Sequence, residues 1–139
     1  MFWAQISSII TAEPAEKVTA KAGETASAKV RFKIAQGYHT NSNTPSDEYL
    51  IPLKLTWDAA PLEVKAVEYP KAHTEKYAFS DKPLSVYTGE FELTTKFAIP
   101  ASALKGSRTV TGKLRYQACT DNTCYPPKTL AVTLPVEIR

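Results

Sequence analysis

Tyr116-Gln117-Ala118-Cys119-Thr120-Asp121-Asn122-Thr123-Cys124-Tyr125-Pro126-Pro127 holds both cysteines of the chain, with four residues between them. Upstream, Val110, Gly112, Leu114, Tyr116 and Ala118 alternate with Thr111, Lys113, Arg115 and Gln117. Downstream, Leu130, Val132, Leu134, Val136 and Ile138 alternate as regularly. Period-two alternation on both sides reads as two half-buried strands, which puts the cysteines at the tip of a hairpin. The two patterns disagree in register. If Cys119 faces Cys124, Leu114 falls opposite Thr129, an inward residue against an outward one. Cross-strand partners share a face, so one extra residue must be absorbed between Cys124 and Leu130. Pro126-Pro127 is the expected place, because proline donates no ladder hydrogen bond and sits at bulges and edges.

Outward from the hairpin, the chain reads as all-β. Ala28, Val30, Phe32 and Ile34 alternate with Lys29, Arg31 and Lys33, predicting a strand from Ala26 to Gln36. Val18–Ala22, Tyr49–Trp57, Leu62–Tyr69 and Leu84–Ile99 supply further strands, the last kinked at Gly89. Tyr38–Glu48 and Pro70–Pro83 read as long polar loops rich in turn formers, and Ala101–Ser107 as a linker or single helical turn. About seven antiparallel strands with no amphipathic helix predict an immunoglobulin-like β-sandwich, with an open barrel as the weaker reading.

The 139 residues are expected to form a single domain, 1–139, burying roughly two-thirds of its unfolded surface. Residues 1–15 read as an N-terminal extension or edge strand. The apolar Met1–Ile10 is too short to span a bilayer and lacks the basic start of a signal peptide, so this chain alone is expected to be soluble. Net charge is +3, with 43% hydrophobic and 22% charged residues. The lysines alternate with apolar residues instead of clustering, which argues against nucleic-acid binding.

Two nearby cysteines can form a structural disulfide, a redox-active pair or part of a metal site. Closing a loop of about six residues stabilises by roughly 2 kcal/mol, against roughly 4 for a staple closing about sixty. The hairpin already holds these strands together, and exposed disulfides tend to be the reducible ones. Cys119 continues the outward parity of Lys113 and Arg115. Lys128 favours thiolate and Asp121 opposes it. A Cys2His2 set with His39 and His73 lacks finger-like spacing. Each histidine alone reads as a surface or hydrogen-bonding group. A cysteine-protease pair with His39 lacks a supporting signature, and Glu90 and Glu92 read as a solvated strand face.

The Tyr-Gln-x-Cys run at 116–119 and Cys-Tyr-Pro-Pro at 124–127 resemble the active-site hairpin of the N-terminal periplasmic domain of DsbD-type thiol:disulfide interchange proteins. Gly37-Tyr38-His39 and Tyr49-Leu50-Ile51-Pro52 are similar to the matching stretch of that family, and the likeness runs from about Val30 to Pro135. It implies an immunoglobulin-like domain in the periplasm that passes electrons by thiol–disulfide exchange, with no cofactor beyond a Cys119–Cys124 pair. Its implied partners are thioredoxin-like domains and periplasmic disulfide-bearing proteins, through transient mixed disulfides. Membrane contact would come only through a larger parent protein. By the same resemblance, Cys124 forms the mixed disulfide and Cys119 resolves it at the 119–124 tip. Phe79 caps the sulfurs from the loop at 70–83, with Tyr77 beside it. Tyr38, His39, Tyr116, Gln117, Tyr125 and Pro126 surround the site. The chain departs from better-known members in four ways. It has one residue fewer between the cysteines, Thr123 where an aromatic precedes the second, and His39 where a tyrosine follows the Gly-Tyr pair. Tyr77-Ala78 also replaces acidic residues before the cap aromatic. The main rival reading is a non-catalytic Ig-like binding or assembly module whose disulfide stiffens the hairpin; a copper or zinc carrier is the third.

Overall fold

The computed structural model describes residues 9–139, all β with no helix among them. In chain order the strands are β1 (Ile10–Ala12), β2 (Val18–Ala20), β3 (Thr25–Ile34), β4 (His39–Asn41), β5 (Lys54–Asp58) and β6 (Glu63–Glu68). There follow β7 (His73–Glu75), β8 (Leu84–Tyr87), β9 (Glu90–Ala98), β10 (Gly106–Tyr116), β11 (Ala118–Cys119) and β12 (Lys128–Ile138). Seven of them, β3, β5, β6, β8, β9, β10 and β12, are four residues or longer. Of the shorter ones, β4, β7 and β11 are what alternation cannot reveal as separate strands, since two or three residues show no period. Residues 1–8 of the expected extension lie outside the described residues; β1, just beyond them, is an edge strand paired at Ile10↔Ile34.

Two four-stranded sheets, ordered β1-β3-β9-β6 and β2-β12-β10-β5, form the sandwich. Period-two burial explains both. Ala28, Val30, Phe32 and Ile34 of β3 are buried against Val110, Leu114, Val132, Leu134, Val136 and Ile138 of the other sheet. Fully burying each such side chain is worth about 1.5–3 kcal/mol. One pairing departs from the expected antiparallel scheme: β2 runs parallel to β12, at Val18↔Val136.

A third sheet, ordered β11-β4-β8-β7, stands at one end of the sandwich. Two of its strands prolong sandwich strands: β11 follows β10, and β8 precedes β9. Gly89, at φ +68°, makes the turn between β8 and β9, a left-handed conformation that favours glycine, so the expected kink is a switch between sheets. Both long polar loops contribute strands here, correcting the reading of 38–48 and 70–83 as loops throughout. Neither strand shows alternation, because His39, Thr40 and Asn41 of β4 are all buried and His73, Thr74 and Glu75 of β7 are all exposed.

Trp57 ties the two sandwich sheets together. Its ring lies edge-on to Phe97 at 5.6 Å, and its Nε1 donates to Thr95 Oγ1 of the opposite sheet at 2.9 Å. Gly112, its cross-strand partner, leaves room for the indole. A Cβ there would stand 2.7 Å from Trp57 Cε3 and 3.0 Å from the Thr56 carbonyl oxygen. Gly112→Ala is expected to destabilise by about 1–3 kcal/mol through overpacking, read as a lower urea midpoint at unchanged slope. Thr95→Val is expected to cost about 1–3 kcal/mol by stranding the indole N–H. An unmoved midpoint in either variant would contradict this packing.

Candidate functional site: a covered and an open sulfur

β10 and β12 pair from Gly106↔Ile138 to Tyr116↔Lys128, and beyond them only the single bridge Cys119↔Cys124 continues the hairpin. Three residues of advance on one strand answer four on the other. The extra residue lies between Cys124 and Lys128, where Tyr125, Pro126 and Pro127 make no ladder pairs, as the clash of register requires. On its other edge β11 pairs with β4, at Ala118↔Thr40 and Cys119↔His39, while Cys119 still bridges Cys124.

Cys119 and Cys124 form a disulfide, with Cα atoms 4.0 Å apart. The tip between them is a tight turn. Thr120 N–H donates to the Thr123 carbonyl at 2.7 Å, and Thr120 Oγ1 accepts from the N–H groups of Asn122 and Thr123 at 3.3 and 3.2 Å. Tyr125 N–H closes it on the Ala118 carbonyl at 2.9 Å.

The two sulfurs have opposite surroundings. Cys124 is exposed, whereas Cys119 is only 1% exposed. Cys119 does keep the parity that points away from the core, since Ala118 belongs to the core cluster and Cys119 does not. Its side chain lies instead on the face of the third sheet that it shares with its cross-strand partner, the buried His39. An outward position proves to be a buried one within the third sheet that β11 joins.

His39 is itself 2% exposed, against the expectation of a surface or hydrogen-bonded histidine. Tyr77 stacks on its ring, centroids 3.9 Å apart at 10°, and Phe79 lies parallel at 6.2 Å. Tyr77 and Phe79 are 5.7 Å apart. Among the described residues, His39 Nε2 has no hydrogen-bond partner. Burial lowers the imidazole's pKa; Asp121 and Glu75 pull the other way, and His73 reinforces the lowering. Burial, with Glu75 and Asp121 adding to it, pushes the Tyr77 phenol up to about 12. An open cleft of about 480 Å³ adjoins the stack, lined among others by Lys33, Tyr38, His39, Tyr77, Gly89 and Asp121.

Gln117 fixes the base of the hairpin. Its Oε1 accepts from Asn41 Nδ2 at 3.0 Å and from Ile51 N–H at 3.2 Å, while its Nε2 donates to the Tyr125 carbonyl at 3.4 Å. Asn41 Nδ2 also donates to the Ile51 carbonyl at 3.0 Å. Asn41 carries no sequence signal of this role, since an asparagine inside a run of turn formers gives no sign of burial, whereas Ile51 falls in the family-like Tyr49–Pro52 stretch. Of the other expected residues, Tyr38 and Tyr125 face each other at 6.2 Å, with Tyr125 and Pro126 exposed. Tyr116 sits lower, inside the core, where burial raises its phenol pKa. Phe79 is 37% exposed on a short turn held by Ser80 N–H to the Tyr77 carbonyl and by Lys76 Nζ to the carbonyls of Tyr77 and Ser80. His73 lies on the exposed β7, and no group of three or more His, Cys, Asp or Glu able to hold a metal occurs among the described residues.

The family described as thiol:disulfide interchange protein DsbD, N-terminal, matches residues 7–135. No curated protein sequence matches the chain. Among solved structures, the DsbD N-terminal domain of Neisseria meningitidis in the reduced form superposes with TM-score 0.55 at 21% identity, over 84% of this chain and 82% of that one. The N-terminal periplasmic domain of ScsB from Proteus mirabilis gives 0.59 at 13% identity, over 90% of this chain but 44% of that one. At such identities these likenesses show a shared fold. The family match spans nearly the whole described chain, so the chain belongs to the DsbD N-terminal family, whose general activity is thiol:disulfide interchange.

Proposed function

We propose that this domain reduces partner proteins in the bacterial periplasm through the Cys119–Cys124 pair, with Cys124 as the exchanging sulfur and Cys119 as the resolving one. The observation that carries the reading is the unequal exposure of the two sulfurs. A partner disulfide needs in-line access to one sulfur, and Cys124 offers it at the hairpin tip. Cys119 is reachable only from within the domain.

In the reduced state the Cys124 thiolate attacks a partner disulfide. A Cys124–partner bond forms, and the partner's other sulfur leaves as thiolate and is protonated. The Cys119 thiolate then attacks the Cys124 sulfur, forming the intramolecular disulfide and releasing the partner's second sulfur. Two electrons pass to the partner, and a thioredoxin-like domain would return them by the reverse sequence. The printed description of the ScsB relative as periplasmic supports the compartment, where disulfides persist. The stacked rings of Phe79, Tyr77 and His39 support a cap that opens for partners.

Cys119→Ser is expected to trap a mixed disulfide through Cys124 with an oxidised thioredoxin-like domain, seen by non-reducing electrophoresis and mass spectrometry. Trapping only in Cys124→Ser would reverse the roles. Trapping in neither would favour a non-catalytic module with a structural staple. Phe79→Ala removes stacking worth about 0.5–1.5 kcal/mol and is expected to speed reduction by dithiothreitol roughly two- to tenfold. An unchanged rate would remove Phe79 from the cap.

A further inference from the structure

We propose that His39 is the proton acceptor for the Cys119 thiol in the resolving step. The proposal rests on the exchange reading above and assigns a role that reading leaves empty. The resolving nucleophile must be a thiolate, and a thiol 1% exposed beside apolar surfaces ionises reluctantly. A base must therefore stand next to it.

His39 is the cross-strand partner of Cys119 in the β4–β11 pairing. Residues so placed share a face, with Cβ atoms about 4.5–5.5 Å apart. At that spacing a turn of the side chains is enough to bring an imidazole nitrogen to a neighbouring thiol once the disulfide is open. His39 Nε2 is buried and bonded to nothing among the described residues. An unsatisfied buried polar atom costs about 1–3 kcal/mol, so one beside a reacting group calls for an explanation in the chemistry. With hydrogen on Nδ1, Nε2 is a free acceptor. The stack under Tyr77 at 3.9 Å fixes the plane of the ring.

The charged and titratable groups around His39 come from every element packed on it. Asp121 stands on the hairpin tip, Glu75 and His73 on β7, and Lys33 lines the same cleft. The Tyr77 phenol, held up to about 12, stays neutral beneath it. Burial prevails over the two carboxylates and leaves the imidazole neutral at neutral pH, the form able to take a proton.

The step balances. The Cys119 S–H proton passes to Nε2, and the Cys119 sulfur bonds to Cys124 as the Cys124–partner bond breaks. The partner's sulfur departs with the electron pair and takes the proton from the imidazolium. In the reverse direction the imidazolium protonates Cys119 as it leaves.

The test uses the reduced domain and an aryl disulfide, dithionitrobenzoate, in a stopped-flow mixer. The first equivalent of coloured thiolate reports attack by Cys124, and the second reports resolution by Cys119. His39→Gln removes the base, and His39→Tyr does so while keeping a ring for Tyr77 to stack on. Folding of both is checked by circular dichroism. In both variants the second phase is expected to slow about a hundredfold or more relative to the first at neutral pH, while the first shifts by no more than the roughly two- to tenfold that loosening the cap allows. The wild-type second phase should hold level at neutral pH and fall in acid, below the ordinary histidine range, as His39 protonates. The variants' second phase should climb with pH until the gap closes. A second phase of wild-type rate in both variants overturns the proposal. So does uniform slowing at every pH, which marks a merely structural ring. Failure of the wild type to release even the first equivalent would instead overturn the exchange reading itself.

Discussion

Tyr116 pairs with Lys128, yet Cys119 pairs with Cys124, and that slip of one residue governs the site. Proline cannot donate to a ladder, so Pro126-Pro127 breaks the pairing and leaves the donors and acceptors of Ala118 and Cys119 unclaimed by β12. Buried backbone groups must find partners. The Ala118 carbonyl takes the N–H of Tyr125, and the opposite edge of β11 pairs with β4, which carries the hairpin into the third sheet.

From that transfer the inequality of the sulfurs follows. Ala118 turns into the core, Cys119 onto the side of His39, and the turn at Thr120–Thr123 returns Cys124 to solvent. The Gln117 contacts to Asn41, Ile51 and Tyr125 lock this arrangement from below. Each such bond contributes only about 0.5–1.5 kcal/mol net, but leaving its partners buried and unpaired would cost more. The sandwich thus mounts the disulfide on a junction of short strands at one end.

Much of this was legible in the chain. The alternations at 28–34, 110–118 and 130–138 give the long strands, and their mutual disagreement gives the irregularity at the prolines. The cysteine pair and the aromatic loop were legible as well, helped by the family likeness. What stayed hidden depends on contacts far apart in sequence. β4 looks like a loop because Thr40, Asn41 and Ser42 are polar, and only tertiary cover makes them interior. The parallel pairing of Val18 with Val136 leaves no local trace. His39 reads as a surface residue until Tyr77 is placed on its ring, and Cys119 reads as exposed until β11 takes its place in the third sheet.

The account stands on a disulfide built to be exchanged instead of one that holds the hairpin shut. Equilibrium titration of the Cys119–Cys124 bond against a glutathione or dithiothreitol redox buffer tests this most directly. It predicts reversible, two-electron reduction at a potential above about −300 mV, within reach of physiological dithiols. A bond that stays closed below about −300 mV, and opens only when the domain unfolds, would contradict it.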